Sequence, residues 1–219
     1  MADYKRDPIY LHPAFYKNHD SICQAIKDAL PDGWTVKMVS GHRTPEDQFE
    51  IFKQGREFQD GSWVKVGTTY TNLDGYVKTS YHNRLPSMAL DIGLFKPNGE
   101  YLKKGPEETT VNAGASEFGF EWGGDWSSPD FPHIQMPDSQ LFESLDHDAA
   151  LQWQKYLYHA GVYQGVLDGY FGTKSQEALK VVVGTKERTI QAWKALFDQF
   201  GPVHLLSEFD SMPFIPPIV

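Results

Sequence analysis

Apolar positions follow two periods along this chain. From Asp20 to Leu30 the apolar residues Ile22, Ile26 and Leu30 share one face with Cys23 beside them, which predicts an amphipathic helix. Pro31-Asp32-Gly33 ends it. The segment from Trp34 to Gly41 then alternates as a strand, with Trp34, Val36 and Met38 on one side. Thr44-Pro45-Glu46 opens a second helix, with Thr44 as N-cap and Pro45 at its first position. Residues 57–80 read as loop with short extended pieces, and Ser87–Phe95 as a strand. Phe118–Gly124 and His133–Met136 suggest two more strands, so the pattern is α+β with a small antiparallel sheet and flanking helices.

The character changes near residue 140, and the polar stretch from Met136 to Asp148 reads as containing a linker. Beyond it, an amphipathic helix carrying Leu151, Tyr156 or Lys155, and Tyr158 ends at Gly161. A turn-rich loop follows, sharpest at Asp168-Gly169. A second helix is N-capped by Thr173 and carries Ala178 and Leu179. A third covers 187–200, with Ile190, Trp193, Leu196, Phe197 and Phe200 as its apolar stripe. The expected division is 1–140, 145–205 as a three-helix bundle, and a Pro-rich apolar tail over 206–219.

Charge narrows the classes of function. The 219 residues hold 29 Asp and Glu against 20 Lys and Arg, a net charge of −9, which argues against non-specific nucleic-acid binding. No apolar run is long enough to span a membrane, and the first residues show no secretory signal pattern. A lone cysteine, Cys23, has no internal disulfide partner and reads as a small core residue.

Unusual residues concentrate in 40–48, 80–93 and 122–135, which together hold His42, Arg43, His82, Asp91, Asp125, Asp130 and His133. Two imidazoles and a carboxylate are a common ligand set for catalytic zinc, which keeps a fourth position for water. On the strand, Ala89, Asp91 and Gly93 share a face, which reads as open space around the carboxylate or as a solvent-facing edge. A bend at Pro132 would aim Asp130 and His133 into one cleft, with His133 on metal and Asp130 as general base. Otherwise Asp130 is a turn-former, and Arg43 pairs with Glu46 or Asp47 at the start of its helix.

These segments resemble the M15 family of zinc peptidases, the D-alanyl-D-alanine carboxypeptidase and L-alanyl-D-glutamate endopeptidase group. The resemblance rests on Ser40-Gly41-His42-Arg43-Thr44 with Gln48, on Ser80, His82 and Asp91, and on Trp122-Gly123-Gly124-Asp125-Trp126 followed by Asp130, Pro132 and His133. It implies the Hedgehog-like zinc peptidase fold, with His82, Asp91 and His133 as zinc ligands and Asp130 as catalytic base. Arg43 would stabilise the oxyanion or bind a substrate carbonyl or carboxylate. Ser80, Gln48, Trp122, Asp125 and Trp126 would contact substrate. His42 stands where the family has an aromatic residue, and Leu85-Pro86 lengthens the segment between His82 and Asp91 in the manner of phage and bacterial endopeptidases.

The C-terminal part resembles a peptidoglycan-binding domain through Leu151-Gln152, Gly161, Tyr163, Gly165, Asp168-Gly169, Phe171-Gly172 and Ala178-Leu179. The resemblance implies Tyr163, Asp168 and Phe171 as wall-binding residues; a purely structural helical appendage is the other reading. Together the two resemblances imply a monomeric murein endopeptidase of phage-endolysin type, made in the cytoplasm, released through a holin and acting on the wall in the periplasm. The expectation includes no nucleic-acid partner and no integral membrane contact. Rival expectations are a D-Ala-D-Ala carboxypeptidase, a non-catalytic zinc-containing wall-binding protein, and a secreted or tail-associated lysin.

Overall fold

The computed structural model describes residues 3–203. The expected tail over 206–219 lies outside the described residues. Helix α1 (Pro13–Asp28) begins earlier than Asp20. The reason is local: His12 Nδ1 accepts the Ala14 N–H at 3.2 Å, and Pro13 occupies the first helical position. Strand β1 (Thr35–Ser40) and helix α2 (Pro45–Lys53) follow, the latter opened by a reciprocal capping box between Thr44 and Asp47. Within the predicted loop, β2 (Arg56–Gln59) and β3 (Ser62–Lys65) form a hairpin whose Asp60 and Gly61 both have positive φ.

Strand β4 (Ala89–Phe95), helix α3 (Val111–Glu117), β5 (Glu121–Trp122) and β6 (His133–Gln135) complete the first part. The antiparallel sheet runs β1-β4-β6-β5, so β4 is central and the edge-strand reading of Asp91 is excluded. Leu90, Ile92 and Ile134 point to one face, against Phe15, Ile22 and Ile26 of α1 and Val111 and Ala115 of α3. The opposite face carries Ala89, Asp91 and Gly93. The space expected around Asp91 is filled on the Gly93 side, where a Cβ would lie 2.5 Å from Val39 and 3.1 Å from the Tyr101 ring, but Asp91 itself lines an open cleft. Cys23 packs partly buried against this core, and burial pushes its thiol pKa up to about 11, which suits a structural residue.

Helices α4 (Leu145–His159), α5 (Thr173–Val183) and α6 (Ile190–Phe200) surround a second core of Trp153, Tyr156, Leu157, Leu179, Trp193 and Leu196. Gly172, not Thr173, caps α5, and Thr189 caps α6 by accepting the Ala192 N–H. The second core is not closed on itself. Tyr10 is buried in it, Trp193 Nε1 donates to Ile9 O at 2.7 Å, and Trp153 Nε1 donates to Leu85 O at 2.7 Å. The expected linker is also tied down: Gln140 donates to Gly119 O, and Asp148 accepts from Phe142 N.

Candidate metal centre

Three backbone features assemble the site. First, β4 and β6 pair with Asp91 directly opposite His133, so both side chains rise from one face of the sheet. Second, His82 lies in a short 3-10 turn (Tyr81–Asn83) held against the loop after β1. Arg43 N donates to His82 O at 2.9 Å, and Asn83 Nδ2 donates to Arg43 O at 3.1 Å. Third, Asp130 N donates to Gly123 O at 2.9 Å and His133 N donates to Asp130 O at 3.1 Å, which makes the bend expected at Pro132. Gly123 permits this fold-back, because a Cβ there would lie 2.6 Å from Asp130 O and 3.0 Å from the His133 Cβ.

Among the described residues, His82, Asp91 and His133 form a group able to hold a metal ion. His82 Nε2 lies 3.2 Å from Asp91 Oδ1 and 3.2 Å from His133 Nδ1, and His133 Nδ1 lies 3.1 Å from Asp91 Oδ1. Zn–N and Zn–O distances of about 2.0–2.1 Å place tetrahedral ligands roughly 3.3 Å apart, so this triangle is close to one face of a zinc tetrahedron. The remaining ring nitrogens are engaged: His82 Nδ1 lies 2.6 Å from Gly41 O, and His133 Nε2 lies 3.1 Å from Gln135 Oε1. With those nitrogens donating, lone pairs of both imidazoles and the Asp91 carboxylate converge on one point. The donor chemistry therefore fits a cation.

Arg43 pairs with Asp91 Oδ2. Its Nε donates to Ser40 Oγ at 2.9 Å and its Nη1 to Gln48 Oε1 at 3.4 Å, so the expected partners Glu46 and Asp47 are not the ones it meets. Burial alone would raise the Asp91 pKa, but His82 and the Arg43 guanidinium beside it hold it well below the usual carboxylate range. Burial lowers the pKa of His82 despite Asp91. At His133, burial acts the same way but the bond to Asp91 and the charges of Asp91 and Asp130 outweigh it and raise the pKa. Desolvation in the cleft, with the Asp91 charge, raises the pKa of Asp130.

The three ligand candidates and Asp130 line a cleft of about 750 Å³ that also takes in Arg43, Gln48, Ser80 and Trp126. Trp122 and Asp125 do not line it. Trp122 is a core residue whose Nε1 donates to Phe131 O, and Asp125 is exposed outside it. Gln48 is buried, its amide bonded to Leu73 O at 3.1 Å. Buried His42 bonds Arg84 O through Nδ1, and burial lowers its pKa to about 4, so it is a neutral structural group. Sequence reading missed Tyr101, Tyr70, Glu121 and Gln135; Tyr101, Tyr70 and Gln135 line the cleft. A signal existed only for Gln135, two positions beyond His133 and so on its face of the strand.

The C-terminal residues expected to bind wall polymer also make contacts within the fold. Tyr163 is buried and donates to Val166 O at 2.9 Å. Asp168 Oδ1 accepts from Tyr170 N at 2.9 Å and Gln154 Nε2 at 2.9 Å, and Phe171 packs on Trp153. A tight glycine-rich loop needs its backbone groups satisfied, and buried Gln154 does this, its Oε1 accepting from Asp168 N and Gly169 N. Gln154 of α4 thus organises this loop.

A family model described as D-alanyl-D-alanine carboxypeptidase matches residues 75–136, which hold His82, Asp91, Asp130 and His133. The peptidoglycan L-alanyl-D-glutamate endopeptidase CwlK of Bacillus subtilis is 32% identical over 139 residues, covering 59% of this chain and 75% of that protein. With that extent of similarity and this cleft, the chain belongs to the M15 family of peptidases and is a metallopeptidase.

Proposed function

We propose that the protein is a zinc-dependent murein peptidase that hydrolyses the L-alanyl-D-glutamate bond of peptidoglycan stem peptides, acting as an endolysin of phage type. The carrying observation is the convergence of His82 Nε2, Asp91 Oδ1 and His133 Nδ1 at 3.1–3.2 Å from one another, with Asp130 in the same cleft. The similarity to a relative named for that bond supports the choice of substrate. Bound at the triad, zinc would supply a Lewis acid and bring the pKa of a water down to about 7.

The chain's own groups do the rest. Asp130 takes the proton of the attacking water and hands it to the leaving amine. Arg43 fixes the Asp91 carboxylate through its outer oxygen and leaves a permanent positive charge on the cleft wall, where the peptide carbonyl oxygen becomes anionic. Asp130 would be idle in a purely structural zinc site, which closes its coordination shell and needs no base. This argues against the non-catalytic alternative. In this reading residues 145–205 hold the enzyme on the polymer and raise its local concentration.

The test is mass spectrometry of purified sacculi after digestion. A new L-alanine C-terminus supports the proposal, and release of free D-alanine would assign the carboxypeptidase reaction instead. Chelation should abolish cleavage and zinc should restore it; full activity of metal-free protein would refute the zinc dependence.

A further inference from the structure

Along one wall of the cleft, four side chains close a ring at the edge of the sheet. Strands β5 and β6 pair Glu121 opposite Gln135. Gln135 Nε2 lies 3.2 Å from Glu121 Oε2, and Trp126 Nε1 donates to Glu121 Oε1 at 2.5 Å. Gln135 Oε1 lies 3.1 Å from His133 Nε2. The Trp126 ring then covers the His133 ring, with centroids 5.0 Å apart and planes at 49°.

For a neutral imidazole the chemistry of these groups permits one arrangement of protons. A carboxylate accepts and an indole N–H donates, so Glu121 requires an N–H from Gln135. That requirement turns the amide nitrogen toward Glu121 and the amide oxygen toward His133. An amide oxygen can only accept, so His133 must carry its proton on Nε2. Its Nδ1 is left with a lone pair facing His82 Nε2 and Asp91 Oδ1. Without the amide, the imidazole is free to hold its proton on Nδ1, where an N–H would point at the cation.

We propose that Glu121 and Gln135 are positioning residues of the metal centre. Through the chain Trp126–Glu121–Gln135–His133 they select the tautomer and ring orientation of His133. Trp126 then serves as a clamp on this chain as well as a wall of the cleft. The proposal rests on the zinc reading for its purpose, but the tautomer itself can be measured without metal.

Long-range proton–nitrogen NMR of the imidazoles in metal-free wild-type protein, with the pH raised until the His133 ring is neutral, should show His133 as the Nε2–H form. The Gln135→Met variant should show mixed tautomers or the Nδ1–H form. Competition with a chromophoric chelator should show zinc binding weakened about 10–100-fold in Gln135→Met and Glu121→Leu, the usual effect of losing an outer partner of a ligand. An Nδ1–H form in the wild type would overturn the proposal, and so would wild-type zinc affinity in both variants. If a variant does not fold, the wild-type tautomer still decides. Wild-type protein that binds no zinc but holds the Nε2–H form would defeat the zinc reading and leave this one standing.

Discussion

Asp91 illustrates how much one side chain's meaning depends on its neighbours. Its Oδ1 faces both imidazoles while its Oδ2 is held by Arg43, so the carboxylate cannot rotate without breaking an ion pair. Asp130 has no such duty, and its substitution should separate chemistry from binding. Asp130→Ala is expected to keep fold and zinc and to lose about 10²–10⁴ in turnover, the range for a general base. His133→Ala is expected to lose zinc and activity together. Metal content and kcat measured on both variants check this; zinc lost from Asp130→Ala and retained in His133→Ala would reverse the assignments. The types of these residues, and their order, were legible in the sequence. The partner of Arg43 was not, since Glu46 and Asp47 are near in sequence while Asp91 comes near only through the pairing of β1 with β4. The same limit explains Trp122, whose indole faces the core because a carbonyl at Phe131 folds back to receive it.

At the level of elements, short segments place the chemistry and two glycines make their approach possible. Gly123 lets the segment after β5 fold onto β6, and Gly93 makes room for Val39 and Tyr101 against β4. Gly123→Ala should push Asp130 and His133 apart, since its Cβ would lie 2.6 Å from backbone at Asp130. Overpacking of this kind costs about 1–3 kcal/mol. Zinc affinity should therefore fall together with Tm, and wild-type affinity in a folded Gly123→Ala protein would show that the segment tolerates the shift. Helix ends, by contrast, were local matters. The capping box at Thr44 and Asp47 was half visible in Thr44-Pro45, whereas the early start of α1 was hidden because histidine is an uncommon cap.

Across the whole molecule, the two cores are joined by buried polar contacts. His12 Nε2 donates to Asp148 Oδ1 at 3.0 Å, Gln152 Nε2 donates to the same oxygen at 2.9 Å, and Phe142 N donates to Oδ2 at 3.0 Å. Burial would raise the Asp148 pKa, but these donors outweigh it and lower the value. A depressed folded-state pKa stabilises the fold above the unfolded carboxylate value of about 3.9 and loses that contribution as pH falls through the folded value. Urea titrations from neutral to acid pH should show stability falling there, with a smaller fall in Asp148→Asn. Asp148→Ala, which leaves three buried donors unanswered, should cost about 3 kcal/mol at neutral pH; a loss under 1 kcal/mol would mean that the junction contributes little. The same joining alters the expected outcome of cutting the chain after residue 140. Division at that point suggests a fragment that still cuts soluble muropeptides. Yet the cut strips Tyr10 of its buried surroundings and leaves the carbonyls of Ile9 and Leu85 without their indole donors. Residues 1–140 should therefore lose activity on soluble fragments and intact sacculi alike. Retained activity on the soluble fragment would show that the first core folds alone.

By itself the sequence determined the inventory: a helix capped at Thr44, a strand around Asp91, and two histidines and two aspartates in spaced motifs that mark an M15 peptidase. Such features depend on residues within a few positions of one another, so periodicity and spacing reveal them. Only the tertiary structure decided that Asp91 stands opposite His133 on paired strands. It also decided that Gly41 O and Gln135 engage the imidazole nitrogens turned away from the site. Likewise, it gave the turn residues Tyr163, Asp168 and Phe171 their partners within the C-terminal part. Each of these is a choice of hydrogen-bond partner or packing neighbour, and a side chain meets its partner only after strands have paired in one register and helices have packed. The physical reason is directionality. Burial can be anticipated from composition along a stripe, but a hydrogen bond needs a particular donor within about 3 Å and in line. Residues distant in sequence acquire that geometry only in the folded chain.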